Sequence, residues 1–367
     1  MTTSQRKIEH LQLCAGVPVE SHLSSGFDDV HLIHCALPEI DRDEIDVATK
    51  LFGRKLSAPI LIASMTGGHP ETYGINEALA LAAERLGIGI GVGSQRAALE
   101  DPALEESFRV VRDCAPDAFV YANIGAVQLP EYGIEGVSRA IEMIDADAVA
   151  IHLNFLQEAV QPEGCTRARG CLDAITEVCG ALSVPVIAKE TGAGISHEVA
   201  ELLVAAGVAA IDVSGAGGTS WAGVEYHRAL QRGDLESAHL GQLFWDWGIP
   251  TAASIVECSE CGVPLIATGG MRTGIDVAKS LALGASLAGI ALPLVKPAMD
   301  SADAVFERIA AVVSELEIAM FLCGCKDLSE LKASPVVVCG RIREILHARG
   351  FACGALRRQA VKLFGTL

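Results

Sequence analysis

Aromatic residues are scarce: only 5% of the 367 positions are Phe, Trp or Tyr, although half of the chain is hydrophobic. A core built from such a chain has to use small aliphatic strands covered by Ala-rich helices. Cations are also few. Lys and Arg number 28 against 46 Asp and Glu, a formal net charge of −18, which argues against nucleic acid or an anionic membrane as partner. Long apolar runs are missing as well. The longest uncharged stretch, Ser280 to Val295, holds 16 residues, two of them glycine and one proline, and falls short of a membrane span. No apolar signal segment opens the chain, so a cytoplasmic protein is expected.

Several catalytic signatures are absent too. There is no strict Gly-x-Gly-x-x-Gly and no Gly-Lys pair for a Walker loop. His197-Glu198-Val199-Ala200-Glu201 lacks the second histidine of a zinc-protease helix, and no Gly-x-Ser-x-Gly lies at a strand-to-helix turn. The twelve cysteines include one Cys-x-x-Cys, Cys258 to Cys261, and the tight pair Cys323 and Cys325. Neither has the spacing of a zinc site. Reduced thiols acting as small hydrophobes in a reducing compartment fit better.

What the chain does contain is alternation. In residues 264–295 a buried strand at Leu265 to Ala267 is followed by Gly269-Gly270, an amphipathic helix over 275–283 and a second buried strand. A glycine pair after a strand lets backbone N–H groups approach an anion, with the positive end of the helix facing the same spot. Six further strand-to-helix units precede it. Strands are expected at Pro59 to Ala63, Ile88 to Val92, Phe119 to Ala122, Ala148 to Leu153, Pro185 to Ala188 and Ala210 to Val213. Helices are expected over 75–86, near 103–113, 135–144 and 171–181, over 196–206 and at 251–261, with a long polar insertion over 216–250. With the helix expected near 302–322 after the last strand, eight such units predict an α/β fold, a TIM (β/α)8 barrel. The chain then divides into an N-terminal extension (1–57), the barrel (58–325), a long loop after strand six, and a helical tail (326–367) carrying a helix near 340–348.

Nearly every strand ends in polar or glycine residues, and in a TIM barrel those ends form the active face. Ser64, Thr66, Ser94, Asn123, Lys189, Ser214 and Thr219 suit a large polar heterocycle with a phosphate tail. Lys189 reads either as a partner for Glu190 or a nearby acid, as a Schiff-base lysine, or as a cation beside the pyrimidine end of a flavin. His152 and Asn154 alternate on one strand and point inward together, His152 being either a satisfied core residue or ligand-facing. Glu158 is a single carboxylate fit to hold Mg²⁺ that keeps several waters. In the leader, Arg6, Lys7 and His10 are either a solvated basic spot or cations lent to the barrel mouth.

These residues together resemble the type 2 isopentenyl-diphosphate isomerase family. The resemblance runs from about residue 4 to about residue 345. It is carried by Arg6-Lys7 with His10, Ala63 to Gly68, Gly93 to Arg96, Asn123-Ile124-Gly125, His152 to Asn154 with Gln157-Glu158, Lys189-Glu190, Ser214 to Thr219, Gly269 to Gly274, and Ala291-Leu292. It implies an enzyme that interconverts isopentenyl and dimethylallyl diphosphate with reduced FMN, Mg²⁺ and NADPH as reductant. By position, Ser64, Met65, Thr66, Ser94, Asn123, Lys189, Ser214, Thr219, Gly269, Gly270, Met271, Ala291 and Leu292 should contact FMN. Arg6, Lys7, His10, Ser94, Gln95, Arg96, His152, Asn154 and Gln157 should surround the substrate, with Gln157, Lys189 and His152 catalytic and Glu158 on the metal. Cys165 stands where the family pattern leads one to expect an acid. A tetramer or octamer is implied, with the leader expected to complete a neighbouring copy's site.

Rival readings fare less well on the same residues. An IMP dehydrogenase-like enzyme needs a cysteine in 216–250, which has none. A 2-hydroxy-acid oxidase needs a histidine base with arginines beside it, and a flavin-binding sensor needs neither Gln157-Glu158 nor the basic leader.

Overall fold

The structure, a computed structural model, describes residues 3–351. It opens with helix α1 (Thr3–Gly16), strand β1 (Val30–Leu32) and the antiparallel hairpin β2 (Thr49–Leu51) and β3 (Arg54–Leu56). Eight parallel strands then close on themselves: β4 (Ile60–Ile62), β5 (Gly89–Gly91), β6 (Val120–Gly125), β7 (Ala148–Leu153), β8 (Val186–Glu190), β9 (Ala210–Asp212), β10 (Leu265–Ala267) and β11 (Leu287–Ile290). The last returns to the first through Ala288 opposite Ile60 and Ile290 opposite Ile62.

Helices α2 (Tyr73–Leu86), α3 (Arg96–Glu100), α4 (Glu106–Cys114), α5 (Leu129–Met143), α6 (Phe155–Val160), α7 (Cys171–Ala181), α8 (His197–Ala205), α9 (Trp221–Arg232), α10 (Leu235–Leu243), α11 (Thr251–Cys258), α12 (Gly274–Ala282) and α13 (Val295–Asp300) connect or follow the strands. Beyond them lie α14 (Ala302–Cys323), α15 (Leu328–Ala333), β12 (Val336–Val338) and α16 (Gly340–Ala348).

Period-two alternation sorts the strand residues into two cores. Ile60, Ile62, Ile90, Val120, Val149, Ile151 and Ile211 face the helices. Leu61, Tyr121, Ala148, Ala150, Ile187, Ala210, Ile266 and Leu287 fill the barrel, closed below by Leu51 and Leu56 of the hairpin. Two residues above that inner layer on their strands come Ala63, Asn123, His152, Lys189, Asp212, Thr268 and Gly289. The inward set thus turns from apolar to polar within one step of the pleat.

The eight expected strands are present, with differences at their ends. β6 continues past Ala122 to Gly125 and β8 past Ala188 to Glu190, because ladder pairing with β7 runs on through Gly125 opposite His152 and Leu153 opposite Glu190. The leader, which lacks hydrophobic periodicity, nonetheless forms α1. The polar insertion folds into α9 and α10. The tail is not wholly helical, since β12 pairs antiparallel with β1; its last residues, from 352, lie outside the described residues. No helix among the described residues is long and apolar enough to cross a membrane.

Tyr121 fits inside the barrel only because its neighbour on β5 is glycine: a Cβ on Gly91 would lie 2.1 Å from the Tyr121 ring. Gly91→Ala should therefore destabilise the fold by about 1–3 kcal/mol through overpacking. Urea unfolding should show a lower midpoint with an unchanged slope, and Tyr121→Leu in the same chain should recover much of the loss.

Candidate functional site

The polar layer at the top of the barrel is held by its own hydrogen bonds. Lys189 Nζ donates to Asp212 Oδ2 at 2.8 Å and to the Glu190 carbonyl at 3.4 Å, while Thr268 Oγ1 donates to Asp212 Oδ1. The acid beside Lys189 is thus Asp212. The Glu190 carboxylate instead accepts the backbone N–H groups of Gly192 and Ala193, each at 2.5 Å, and of Gly194 at 3.1 Å. Burial still pushes the Glu190 carboxyl up to about 7 against those donors.

His152 has a defined tautomer. Asn123 Nδ2 donates to the Val92 carbonyl at 3.0 Å, so its Oδ1, 2.8 Å from His152 Nδ1, has to accept. The Nδ1 atom carries the proton, and Nε2 keeps its lone pair. Burial, together with Lys7 and Lys189, pushes the His152 imidazolium down to about 3. At neutral pH His152 is therefore a neutral ring, with Nε2 open to accept a hydrogen bond and no proton there to give.

Gln157 and Glu158 sit on the short helix α6, directly after β7. Asn154 Nδ2 donates to Gln157 Oε1 at 3.2 Å and to Glu158 Oε1 at 3.0 Å. Glu158 Oε2 accepts from Gln161 Nε2 at 3.0 Å and from the Cys165 backbone N–H at 2.7 Å. Cys165 thus serves through its main chain, which explains why a non-acidic side chain is tolerated there. Glu158 is buried and has no ion-pair partner among the described residues. Beside it, Asn154 Oδ1 and Gln161 Oε1 are buried without a hydrogen-bond partner. A carboxylate flanked by orphaned amide oxygens is the hard-donor chemistry that Mg²⁺ requires.

Helix α1 lays Arg6, Lys7 and His10 over this layer. His10 Nε2 donates to Glu225 Oε1 at 2.8 Å, and Gln157 Nε2 reaches the same oxygen at 3.2 Å. Burial works to raise the Glu225 carboxyl, yet His10 and Arg228 hold it down at about 2. Neither Arg6 nor Lys7 forms a hydrogen bond or ion pair within the described residues. Burial, then the charges of Arg6 and Arg96, push the Lys7 ammonium down to about 7. Arg96 differs, being held by Glu100 at 2.7 Å.

Opposite α1, the loops after β9 and β10 are pressed together. Gly269 has φ +96°, and a Cβ there would lie 2.2 Å from the Gly215 carbonyl oxygen, so only glycine fits. None of the backbone N–H groups of Gly269, Gly270 and Met271 donates to an acceptor among the described residues. Donors left open in a glycine turn suit a phosphate. The N-terminus of α12 does not join them, contrary to expectation. Its Gly274 N–H donates to Glu315 at 2.6 Å, and Asp276 takes those of Arg272 and Thr273. The protein's own carboxylates occupy that positive end.

One cavity joins these groups, with about 1510 Å³ of atom-free space including its mouth. Ser64, Met65, Thr66, Ser94, Asn123, Lys189, Ser214, Thr219, Gly269, Gly270, Met271, Ala291 and Leu292 all line it, as do Arg6, Lys7, His10, Arg96, His152, Asn154, Gln157 and Glu158. Thr66 Oγ1 is buried there without a partner. Gln95 is the exception. It is wholly buried behind the wall, where its amide donates to the Ala140 carbonyl at 2.7 Å and accepts from Asn123 N–H at 2.9 Å. It braces β6 against α5 and does not face a ligand. Sequence reasoning missed Gln161, and also Thr3, Leu11 and Cys14 of α1. The latter three share the spacing 3, 6, 7, 10, 11, 14, a helical stripe hidden by its mixed polarity. Among the described residues every cysteine is free, and no group of three or more His, Cys, Asp or Glu could hold a metal.

A family model described as "FMN-dependent dehydrogenase" matches residues 156–338. Isopentenyl-diphosphate delta-isomerase from Methanosarcina barkeri is 62% identical over 351 residues, covering 95% of this chain and 96% of that protein. The enzyme of the same name from Archaeoglobus fulgidus is 57% identical, covering 95% of this chain and all of that one. Among solved structures, a lactate oxidase from Pediococcus acidilactici superposes with a TM-score of 0.68 at 18% identity, covering 92% of each chain. At that identity the likeness speaks for the barrel alone.

The buried pair beneath the cavity is open to test. Lys189→Met leaves Asp212, 1% exposed, without its counter-charge, and breaking one side of a buried pair costs about 3–5 kcal/mol. Thermal unfolding should fall accordingly, and Lys189→Met with Asp212→Asn should be more stable than the single variant.

Proposed function

Because this chain belongs to the isopentenyl-diphosphate delta-isomerase family, we infer that it interconverts isopentenyl and dimethylallyl diphosphate by a 1,3-allylic proton shift, in isoprenoid synthesis. The observation that carries this reading is the joining, in one cavity, of a long polar wall, two cations with no ion-pair partner among the described residues, and an oxygen-rich Glu158 corner.

FMN fits the residues present. The open N–H groups of Gly269, Gly270 and Met271 suit its phosphate, with Ala291 and Leu292 at the following strand end. Ser64, Met65, Thr66, Ser94, Asn123, Ser214 and Thr219 offer contacts along the ring system, including the orphaned Thr66 hydroxyl. Bound and reduced, with NADPH as the reductant, FMN would supply an acid and base at its N5 and an electron-rich face.

The chain's own groups then divide the remaining work. Isomerising an unactivated alkene needs a strong proton donor and shelter for developing positive charge. His152 cannot give that proton, since its Nε2 carries a lone pair at neutral pH. Gln157, a neutral amide fixed by Asn154 and Glu225, can orient but not protonate. Lys189 places a cation at the barrel mouth, where it would balance a reduced, anionic ring. Arg6, Lys7 and His10, with Ser94, Arg96, His152 and Asn154 around them, would hold the diphosphate, and Glu158 would hold Mg²⁺, which would supply further positive charge for it. Binding energy from that remote charged end is what positions the small alkene.

Assembly and location belong to the same reading. Leu235, Leu243 and Trp247 are 74%, 65% and 63% exposed on and after α10. Exposed apolar side chains of this size would suit contacts between copies, in keeping with the tetramer or octamer that the family resemblance implies. Free thiols are what a cytoplasmic protein would keep.

The deciding assay is anaerobic, with isopentenyl diphosphate, FMN, Mg²⁺ and NADPH. Dimethylallyl diphosphate should form only when the flavin is reduced, and Glu158→Gln should raise the Mg²⁺ needed for half-maximal rate by about 10–100-fold. Turnover with oxidised flavin alone, or a Mg²⁺ dependence left unchanged by that variant, contradicts the reading.

A further inference from the structure

Arg228 lies on α9 and does not line the cavity, yet it is almost fully buried among charges. Its Nε donates to Glu9 Oε2 at 2.9 Å, its Nη1 to Glu225 Oε2 at 2.8 Å, and its Nη2 to Glu163 Oε1. These carboxylates lie on three different pieces of the site. Glu9 is on α1, one helical turn beyond Arg6, and shares that carboxylate with Arg232 at 2.7 Å. Glu225 receives His10 from α1 and Gln157 from α6. Glu163 belongs to the turn whose other members, Gln161 and Cys165, grip Glu158. A planar guanidinium with donors on separate edges can fix three carboxylates at once, which a lysine ammonium cannot do with the same geometry. Burial works against its charge, but the three acids hold the Arg228 pKa above its ordinary value.

We propose that Arg228 is a positioning residue that couples the diphosphate-facing helix α1 to the Glu158 corner, seconded from one turn further along α9 by Arg232, which pairs with Glu9 at 2.7 Å and lies 3.8 Å from Glu163. The inference rests on the diphosphate and Mg²⁺ reading of the cavity. Its mechanical content is separate: loosening the α1 arm should weaken the anion end, loosening the Glu163 arm should weaken the metal end, and loosening the hub should weaken both.

The test uses the full-length, FMN-loaded protein. Calorimetry first measures binding of inorganic diphosphate with and without Mg²⁺, and steady-state assays then give KM, kcat and the half-saturating Mg²⁺. Arg228→Lys should raise both KM and half-saturating Mg²⁺ by about tenfold or more, with kcat at saturation within about threefold of the parent. Glu9→Gln should raise KM while leaving the Mg²⁺ requirement in place, and Glu163→Gln should do the reverse. Those two single-arm variants decide the matter even if Arg228→Lys does not fold. If the parent binds Mg²⁺-diphosphate but either arm variant moves both constants equally, or neither, the coupling is overturned while the functional reading stands. A parent that binds no Mg²⁺-diphosphate overturns both.

Discussion

Among the described residues neither Arg6 nor Lys7 has an ion-pair partner as it enters the cavity, in a chain that has 46 acids and 28 Lys and Arg. Keeping such charges out of a direct ion pair is the constraint around which the mouth of the barrel is arranged. The neighbouring acids have their hydrogen bonds elsewhere. Glu225 is held by His10 and Arg228, Glu9 by Arg228 and Arg232, Glu100 by Arg96, and Glu158 by neutral amides and a backbone N–H. Burial, and after it the charges of Arg6 and Arg96, hold the Lys7 ammonium down at about 7. A site of this kind favours an incoming polyanion because charge held away from water and from its own acids gains most when that anion arrives.

The opposite wall follows another rule. In a closed barrel each strand residue faces either the helices or the interior, and the inward set changes character one pleat above Tyr121. Asn123, His152, Lys189, Asp212 and Thr268 therefore meet as a single polar layer on an apolar floor. Their mutual bonds fix an Asn-held imidazole and a buried ion pair before any ligand arrives. Preorganisation of this sort is what lets fixed dipoles act without reorganising.

Much of this was legible in the sequence, for identifiable reasons. Short apolar strands with polar ends give both the barrel and the identity of its active face, since strand parity leaves a side chain little choice. The residues expected at the site gather in one cavity for the same reason, with the exception of Gln95. That glutamine follows a strand end like Ser94 but turns behind it, an outcome of backbone direction that residue type does not encode. Helix α1 was hidden because its face mixes Thr, Arg, Lys, His, Leu and Cys, so no hydrophobic period marks it. Arg228 was hidden in a polar insertion, where its three partners come from positions 9, 163 and 225. The free end expected of α12 was lost to Glu315, which is distant in sequence and arrives only through the packing of α14.

The claim that α1 holds a cation in waiting for a diphosphate has a direct measurement. The affinity of the FMN-loaded protein for inorganic diphosphate should be followed by calorimetry from pH 6 to 9, beside Lys7→Arg, whose guanidinium stays charged throughout. A group lowered to about 7 binds an anion best while protonated, so affinity in the parent should fall relative to Lys7→Arg as pH rises through 7, by up to about tenfold per unit. Parallel profiles for the two proteins would contradict the account.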